Sequence, residues 1–468
     1  MPTNPSVAQP APTRARDRLG HLWGHLLDAV LAPIIAWWSG AGERRVAQRD
    51  ALTVFVIRVA SAGILYISQI LLARWMGAAQ YGVYVWMWTL VLVLGGMSHL
   101  GTGASLARLL PAYRERGEFD LLRGALVGSR WLALIMGTTV AALAYFALYA
   151  LGDRLAPAYR LPALLGVACI PWYALTDVQD GLGRAQGWMG TALVPPYILR
   201  PLLVLGGMAA AHVAGLPMDA VTAAVAAIAG CWITALVQGV SVQRRVDRHV
   251  PRGPRQTAYT TWIAGSSPLL VLYASELVLQ NADVLVLTAY LPPETTAMYF
   301  AAAKTMALVM FVHYAVGSAV AKDFSALHAR GDRAALVAYA RDAVRWTFWP
   351  SLAAAVLILT LGKPLLWLFS PHFVEAYPVM VVLVAGFLFR AAVGPAEFVL
   401  NALGEQHQCA RIAAGVAGLD IALALMLVPW FGMLGAAAAT AMALAASAIL
   451  YARLAHRRTG LNMTIWGV

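Results

Sequence analysis

Long apolar runs separated by short polar segments cover most of this chain of 468 residues. A run of about 20 apolar residues can cross a bilayer as a helix. Transmembrane strands are about 10 residues long and alternate between apolar and polar positions, which these runs do not. The pattern therefore predicts an all-α polytopic membrane protein. The predicted spans are 52–73, 81–107, 122–151, 159–182, 187–213, 218–241, 259–290, 295–321, 333–361, 376–402, 408–429 and 432–455.

The composition agrees with this class. Hydrophobic residues make up 60% of the chain and charged residues 12%, with a mean hydropathy of +0.69. A soluble domain is closer to half apolar and a quarter charged. Residues 1–18 are polar and rich in proline, so a cleaved signal peptide is not expected. Residues 20–40 are apolar but contain Asp28 and Pro33, which favours a helix lying on the membrane surface.

The net charge of +12 is distributed unevenly between alternate connections. If the amino terminus is inside, most basic residues lie on the inner side, and such an excess sets membrane orientation. The inner residues include Arg14, Arg16, Arg18, Arg44, Arg45, Arg49, Arg108, Arg114, Arg116, Arg123, Arg244, Arg245, Arg248, Arg252, Arg255, Arg453, Arg457 and Arg458. The outer residues are Arg74, Arg154, Arg160 and Lys363. We therefore expect two cytoplasmic termini and contact with anionic lipid, rather than nucleic-acid binding.

A stretch beginning near Tyr81 recurs near Thr295. At a fixed shift of 214 residues His99 aligns with His313, and Gly103 aligns with Gly317. DGLGRAQ at 180–186 also resembles NALGEQH at 401–407. Six predicted spans in each copy give both copies the same orientation, as in transporters built from parallel repeats. The predicted organisation is an N-terminal segment 1–50, a six-helix lobe 51–241, a basic linker 242–258, a second six-helix lobe 259–456 and a tail 457–468.

The segment QILLARWMGAAQYGVY and the later AYRERGEF resemble the start of the polysaccharide and oligosaccharide-lipid flippases. These belong to the multidrug/oligosaccharidyl-lipid/polysaccharide (MOP) transporter superfamily. NADVLVLTAYLPPETTAMYFAAAKT is similar to their C-terminal half, and VPWFGMLGAAAATAMA also resembles the family. The resemblance implies two pseudo-symmetric lobes in a V-shaped arrangement, with the first two spans of each lobe facing a central cavity.

The resemblance also implies a function. A polyprenyl-diphosphate-linked oligosaccharide would move by alternating access from the cytoplasmic to the outer leaflet of a bacterial inner membrane. The product would enter surface polysaccharide biosynthesis, as O-antigen of lipopolysaccharide, capsule or exopolysaccharide. Many members of the family have fourteen spans, whereas twelve is the number in the drug-exporting branch.

Ionisable side chains inside the predicted spans are the candidates for substrate binding, because such residues are costly in a membrane and usually face the protein interior. Arg58 and Lys304 are expected to bind the diphosphate, or else to extend toward lipid headgroups. His99 and His313 are expected at equivalent positions in a shared cleft. There they would donate to phosphate or titrate, or else bond a neighbouring helix.

Two carboxylates in the seventh span are further candidates. Glu276 and Asp283 are seven residues apart, so they are expected on one helix face, and Gln69 aligns with Asp283 in the first copy. These groups would accept sugar hydroxyls, bind a coupling proton or Na⁺, or pair with Lys304. The alternative is a buried bond that fixes the packing of the lobes.

Other polar and aromatic residues are assigned structural roles. Four charged residues in spans farther from the cleft are expected in structural pairs: Arg200, Arg390, Glu397 and Asp420. Arg390 and Glu397 would share a helix face, two turns apart and too far for a direct bond. Asp177 and Asp180 are expected to be solvated at a helix end. Cys169, Cys231 and Cys409 are expected to be small buried residues without disulfides, and tryptophans near span ends are typical of an aromatic belt.

The sequence shows no catalytic nucleophile, metal cluster or GxxxxGK[ST] loop, so we expect no enzyme activity, cofactor or metal. The predicted function is a lipid-linked oligosaccharide flippase, with membrane lipids and a polysaccharide polymerase or glycosyltransferases as candidate partners. The alternative is a cation-coupled multidrug exporter, although 52–107 contains no carboxylate. A membrane polymerase or ligase is disfavoured, because the longest outer connection, about 361–376, offers few catalytic groups. Both the membrane potential and an ion gradient are open as energy sources.

Overall fold

A computed structural model describes residues 43–330 and 333–467, with side chains at most positions from Val56 onward. Within these residues the chain is helical and contains no strand. The helices are α1 (Glu43–Ser98), α2 (Thr102–Glu115), α3 (Phe119–Leu151), α4 (Pro157–Gly166), α5 (Ile170–Ala185), α6 (Met189–Val194), α7 (Arg200–Val213), α8 (Ala220–His249), α9 (Tyr259–Leu279), α10 (Ala282–Tyr290), α11 (Pro293–Met306), α12 (Met310–Arg330), α13 (Arg333–Thr360), α14 (Gly362–Trp367), α15 (Tyr377–Ala392), α16 (Ala396–Ala402) and α17 (Gln406–Thr459). The predicted surface helix at 20–40 lies outside the described residues.

The chain divides into two compact units at Val59. The first unit contributes the beginning of α1, from Glu43. The second unit comprises Ala60–Val468, and the contacts described below lie within it.

Nine helical stretches of the described chain are long and apolar enough to cross a membrane, and α9 provides a tenth candidate. Two of the nine contain a glycine with non-helical backbone angles. These are Gly77 in α1, with φ 75° and ψ 163°, and Gly432 in α17, with φ 59° and ψ −135°. Each glycine divides its helix into arms long enough to span a bilayer. Counting the arms separately gives the twelve spans that the sequence predicts.

The chain reverses direction at both of these glycines. Across the first, the Tyr81 hydroxyl donates a hydrogen bond to Gln69 Oε1 at 2.8 Å, although 12 residues separate them. A straight helix would hold these residues about 18 Å apart along its axis, so the two arms run side by side. Across the second, the Tyr451 hydroxyl lies 3.5 Å from the Cys409 carbonyl oxygen. Positive φ is accessible to glycine without strain, so a single residue makes each reversal.

The seventh predicted span, 259–290, is broken twice. The segments Tyr259–Ser267 and Leu269–Leu279 of α9 are bent by 51° relative to each other. The sequence has a proline between them, which cannot donate a backbone hydrogen bond. The chain leaves the helical conformation again at Asn281, with φ −141°, before α10 begins. The predicted single span is therefore three helical pieces.

The glycines aligned by the repeat have the same packing role in both copies. A Cβ atom at Gly103 would contact the backbone of Asp177 in α5, and one at Gly317 would overlap the ring of Phe398 in α16. Helices α5 and α16 belong to the fourth predicted span of their respective copies. Each glycine thus allows the second span to approach the fourth. The boundaries of the two lobes stay a prediction.

Candidate substrate-binding site

The first two spans of each copy contact the first two spans of the other copy. The hydroxyl oxygens of Tyr66 in α1 and Thr305 in α11 are 3.0 Å apart. A Cβ atom at Gly82 would overlap the carbonyl oxygen of Pro293, so α1 and the start of α11 meet backbone to backbone. These four spans are the ones that the family resemblance places around a central cavity.

His99 connects three predicted spans. It is 3% exposed, and its Nε2 lies 2.6 Å from Asp177 Oδ2 in α5. The Tyr273 hydroxyl of α9 donates a hydrogen bond to the same oxygen at 3.2 Å. The close approach of α9 requires Gly96, where a Cβ atom would clash with a leucine of α9 and contact the Tyr273 ring. Tyr273 lies in an apolar run, and no sequence signal pointed to it.

Asp180 lies one turn farther along α5 and is 1% exposed. Its Oδ2 accepts a hydrogen bond from Arg184 Nη2 at 2.7 Å. The prediction that Asp177 and Asp180 are solvated is therefore wrong. The reason is a tertiary contact, because α5 and α2 approach so closely that a Cβ atom at Gly181 would overlap the Gly103 carbonyl oxygen.

His313 aligns with His99 but has different surroundings. It is also 3% exposed, and its ring packs against those of Tyr314 and Phe398, with centroids 6.1 and 5.9 Å away. Neither ring nitrogen has a hydrogen-bond partner among the described residues. The alignment of DGLGRAQ with NALGEQH places Phe398 opposite Asp177. One aligned histidine therefore faces a carboxylate and the other a phenyl ring, and both imidazoles are buried.

A buried tyrosine donates to the preceding span in both copies. Tyr81 donates to Gln69 Oε1 at 2.8 Å, and Tyr299 donates to Asp283 Oδ2 at 2.5 Å. Both tyrosines are fully buried. The aligned residues Gln69 and Asp283 thus have the same kind of partner, but only Asp283 is ionisable.

Two carboxylates and an ammonium group lie in this part of the second copy. Asp283 interacts electrostatically with Lys304 and with Asp420. Asp420 is fully buried beside Thr440, and neither carboxylate oxygen has a well-formed hydrogen bond among the described residues. Its predicted structural pair is therefore not formed there. Lys304 is half-buried, with Nζ 5.1 Å from the centroid of the Phe300 ring.

Glu276 belongs to a separate polar network. Its Oε1 accepts hydrogen bonds from the Tyr314 hydroxyl at 2.6 Å and from Gln280 Nε2 at 2.9 Å. Arg390 interacts electrostatically with this carboxylate. The same guanidinium donates from Nη2 to Glu397 Oε2 at 2.8 Å. One arginine therefore balances two carboxylates in the second copy.

Two predictions about helix geometry fail here. Glu276 and Asp283 do not share a helix face, because the chain leaves the helix between α9 and α10. Arg390 and Glu397 bond directly, because a turn with Gly394 at φ 64° separates α15 from α16. The structural pairing of Arg390 with Glu397 is confirmed, whereas the predicted separation is wrong.

Arg200 begins α7, directly after a π-helical segment, Pro195–Leu199. Its guanidinium carbon lies 5.4 Å from the Trp88 ring centroid and 4.8 Å from that of Tyr173. Throughout the part of the chain with described side chains, no carboxylate oxygen lies within 4.0 Å of its nitrogen atoms. The ion pair predicted for Arg200 is not formed there, and aromatic faces are its partners.

Arg58 is exposed and belongs to the first compact unit. Its role in substrate binding stays a prediction. The same holds for the other six candidates, Gln69, His99, Glu276, Asp283, Lys304 and His313.

The remaining sequence predictions concern cysteines, tryptophans and metals. All three cysteines are buried, as predicted, and Cys169 interacts with Cys231. Three tryptophans are at least half exposed, as expected of a membrane belt: Trp131, Trp346 and Trp349. Three others are buried instead: Trp86, Trp188 and Trp262. Among the described residues, no group of three or more His, Cys, Asp or Glu side chains could hold a metal ion.

Comparison with known proteins adds a family and a fold. Residues 47–321, more than half of the chain, match the model of a family described as polysaccharide biosynthesis protein. No curated protein sequence matches the chain.

Three solved structures illustrate the fold. An inward-facing multidrug resistance MATE family transporter of the MOP superfamily has a TM-score of 0.69 at 14% identity, covering 86% of this chain and 98% of that chain. The lipid II flippase MurJ, in an inward closed conformation, also has a TM-score of 0.69 at 14% identity, covering 86% and 87%. A MOP superfamily transporter from Pyrococcus furiosus Vc1 (DSM3638), described by the reverse polarity of its binding pocket, has a TM-score of 0.65 at 14% identity. That match covers 91% of this chain and 98% of that chain. The predicted all-α membrane fold is confirmed, and it is similar to the folds of these transporters.

Proposed function

This chain belongs to the polysaccharide biosynthesis protein family, and from that premise we propose that it is a flippase for polyprenyl-diphosphate-linked oligosaccharide. The substrate moves from the cytoplasmic to the outer leaflet by alternating access. It then enters the biosynthesis of O-antigen, capsule or exopolysaccharide. A fold shared with a protein named as a lipid II flippase supports this proposal.

The observation that carries the proposal is the set of ionisable side chains held inside apolar spans that contact each other across the two copies. His99, Asp177, Asp283 and Lys304 lie on these spans or bond to them. Such residues are costly in a bilayer and are usually retained for substrate or ion pathways. A purely structural membrane bundle would not require them.

The chemistry of the substrate explains why charged groups are needed. Moving an isolated anion into hydrocarbon costs up to tens of kcal/mol on an idealised scale. A protein lowers this barrier by providing fixed cations and hydrogen-bond donors for the diphosphate and the sugar hydroxyls. The polyprenyl tail stays in the surrounding lipid. In this proposal Arg58 and Lys304 bind the diphosphate, and the polar groups at Gln69 and Glu276 accept hydroxyls.

Asp283 and Asp420 provide a candidate site for the coupling ion. They interact electrostatically, and two interacting buried carboxylates favour uptake of a proton or a Na⁺ ion. The membrane potential is a second energy source, since it moves each elementary charge with about 2.3 kcal/mol per 100 mV.

Reconstituted transport tests the proposal directly. Proteoliposomes would carry a fluorescent polyprenyl-diphosphate sugar, and its arrival in the outer leaflet would be measured by quenching. We expect the wild-type protein to accelerate transfer. The combined Arg58→Ala and Lys304→Ala substitutions should reduce the initial rate at least about tenfold, the loss expected from one charge-assisted hydrogen bond.

The matched control removes two basic residues elsewhere. Arg160 bonds to the exposed Asp153, and Lys363 lies over the Tyr377 ring. Arg160→Ala combined with Lys363→Ala should leave the transfer rate close to that of the wild type. Unchanged transfer in the Arg58 and Lys304 double variant would count against the proposed binding residues.

A cation-coupled multidrug exporter is the second candidate. The acidic pair Asp283 and Asp420 favours it, because an exporter of organic cations needs buried carboxylates. The first copy does not support it, since Gln69 stands where the second copy has Asp283. Drug sensitivity of a deletion strain separates the two functions: hypersensitivity to organic cations with normal surface polysaccharide would favour the exporter.

The location and partners follow from the same proposal. The protein lies in a bacterial inner membrane with both termini cytoplasmic. A polysaccharide polymerase or glycosyltransferases supply or consume the glycolipid. Cysteine accessibility labelling in the linker 242–258 would test the orientation, because membrane-impermeant reagents should reach it from the cytoplasmic side only.

A further inference from the structure

The first copy contains a positively charged group inside an apolar span that lacks a carboxylate partner among the described side chains. Arg200 is half-buried, and its described partners are the rings of Trp88 and Tyr173. The two rings also pack edge to face, with centroids 6.3 Å apart. Cation–π contacts hold a guanidinium in place without neutralising its charge. The hydrogen-bonding edge of such a group is preorganised for an anion.

The nearby acidic residues of the same copy are engaged elsewhere. On α5, the helix that carries Tyr173, Asp177 lies 2.6 Å from His99 and Asp180 lies 2.7 Å from Arg184. The carboxylates that could have neutralised Arg200 therefore have other partners. An uncompensated charge in a membrane span is expensive, which favours a mobile anion as its ligand.

The local backbone is also unusual. The segment Pro195–Leu199 forms a π-helical turn, and Pro201 follows Arg200 directly. Prolines remove backbone donors and disturb the regular helical ladder. Widened turns of this kind are frequent at functional sites. The irregular turn thus sets the position of Arg200 relative to α1 and α5.

The two copies differ in the sign of the ionisable side chain near the middle of their fifth predicted spans, 187–213 and 408–429. The alignment of DGLGRAQ with NALGEQH puts Arg200 one residue from the counterpart of Asp420. Gln69 in the first copy corresponds to Asp283 in the second. At or next to these aligned positions the first copy has an arginine and a glutamine, whereas the second copy has Asp420 and Asp283, with Lys304 interacting with Asp283. This asymmetry matches an anion site in one copy and a cation or proton site in the other.

We propose that Arg200, held by Trp88 and Tyr173, binds the diphosphate group of the lipid-linked substrate. The inference rests on the proposed flippase function and adds a binding residue to it. The guanidinium is planar and presents a fork of donors that matches phosphate oxygens. The same chemistry would suit an ordinary anionic phospholipid, so the test compares both sources.

Binding to the purified full-length protein in detergent tests the assignment. The probe is undecaprenyl diphosphate, detected by native mass spectrometry, with undecaprenol, phosphatidylglycerol and inorganic diphosphate as comparison ligands. We expect the wild-type protein to bind undecaprenyl diphosphate at least about tenfold more tightly than undecaprenol or phosphatidylglycerol. Arg200→Gln should remove this preference, whereas Arg200→Lys should retain part of it, because it keeps the charge but loses the fork.

Arg130→Gln is the matched control, since that guanidinium donates to the Leu126 carbonyl and to Gln243 within the protein. It should bind the probe as the wild type does. If the Arg200 variants do not fold, phenylglyoxal labelling of the wild-type protein replaces them. Undecaprenyl diphosphate should then slow modification of Arg200, and undecaprenol should not.

Each contrary outcome has a distinct meaning. Wild-type binding that survives Arg200→Gln, or labelling of Arg200 that the probe does not slow, overturns this inference and leaves the flippase proposal standing. Equal binding of phosphatidylglycerol assigns the site to ordinary phospholipid and also overturns it. Absence of undecaprenyl diphosphate binding by the wild type, together with no transfer in proteoliposomes, overturns the proposed function as well.

Discussion

The two aligned histidines show how a repeat can keep a residue and change its chemistry. His99 lies against Asp177, and His313 lies against Phe398. Both are 3% exposed, so neither faces open solvent in this conformation. The first histidine joins spans of both copies through Tyr273. It therefore links the two copies in this structure.

Substitution of His99 should lower the stability of the protein more than substitution of His313. His99→Ala leaves the half-buried Asp177 carboxylate without its main partner, which costs about 1–3 kcal/mol. His313→Ala loses ring packing alone and should lower the melting temperature less. Thermal unfolding in detergent would measure both. Asp177→Asn in the His99→Ala background should restore part of the loss, and equal effects of the two single substitutions would contradict the assignment.

Asp420 should destabilise the protein when no ion is bound. Its carboxylate is fully buried without a well-formed hydrogen bond among the described residues. Asp420→Asn replaces this carboxyl group with an amide that cannot ionise, so we expect the melting temperature to rise by a few degrees, corresponding to about 1–3 kcal/mol. The same variant should lose ion-driven transport. Asp153→Asn, at a fully exposed carboxylate, is the control, and a lower melting temperature for Asp420→Asn would contradict the prediction.

At the scale of helices, glycines lie where long helices reverse direction and where neighbouring helices pack closely. Gly77 and Gly432 turn two long helices back on themselves. Gly96 and Gly103 instead allow neighbouring helices to approach until a Cβ atom would clash or touch. In membrane bundles such small residues are common at helix contacts, because close packing replaces the hydrophobic driving force.

A methyl group at the contact between α1 and α11 should separate the copies there. Gly82→Ala places a Cβ atom on the carbonyl oxygen of Pro293, which backbone atoms cannot avoid by a rotamer change. We expect a lower melting temperature and slower transport. Gly63→Ala is the control, since nothing lies within 4 Å of its Cβ position and alanine favours the helix. Equal stability of the two variants would show that the contact is dispensable.

For the whole molecule, the proposed function depends on the unequal charge of the two copies. The second copy balances Glu276 and Glu397 with one arginine and retains the acidic pair of Asp283 and Asp420. The first copy carries Arg200 against aromatic rings. In the proposed function, Arg200 would bind the anionic head of the substrate, and Asp283 with Asp420 would bind the coupling proton or cation.

Features that depend on residues near each other in the sequence were predicted well, whereas contacts between distant residues were not. Apolar runs predicted long helices able to cross a membrane, because a bilayer imposes length and composition on each helix separately, but they did not predict the two breaks in 259–290. The pairing of Arg390 with Glu397 was predicted, but its geometry was not, since it depends on a turn at Gly394. Asp180 was expected in water because it lies near a predicted helix end, but a neighbouring helix covers it.

The sequence by itself determined the membrane class, the repeat, the family resemblance and the list of ionisable residues inside the spans. The membrane class and the ionisable residues follow from composition and periodicity, whereas the repeat and the family resemblance follow from particular residues and motifs; none of them needs the contacts between helices. The tertiary structure alone decided which residues meet: His99 with Asp177, Tyr299 with Asp283, and Arg200 with two aromatic rings. Partners distant in sequence depend on how helices cross and where glycines let them approach, and no local pattern encodes that geometry.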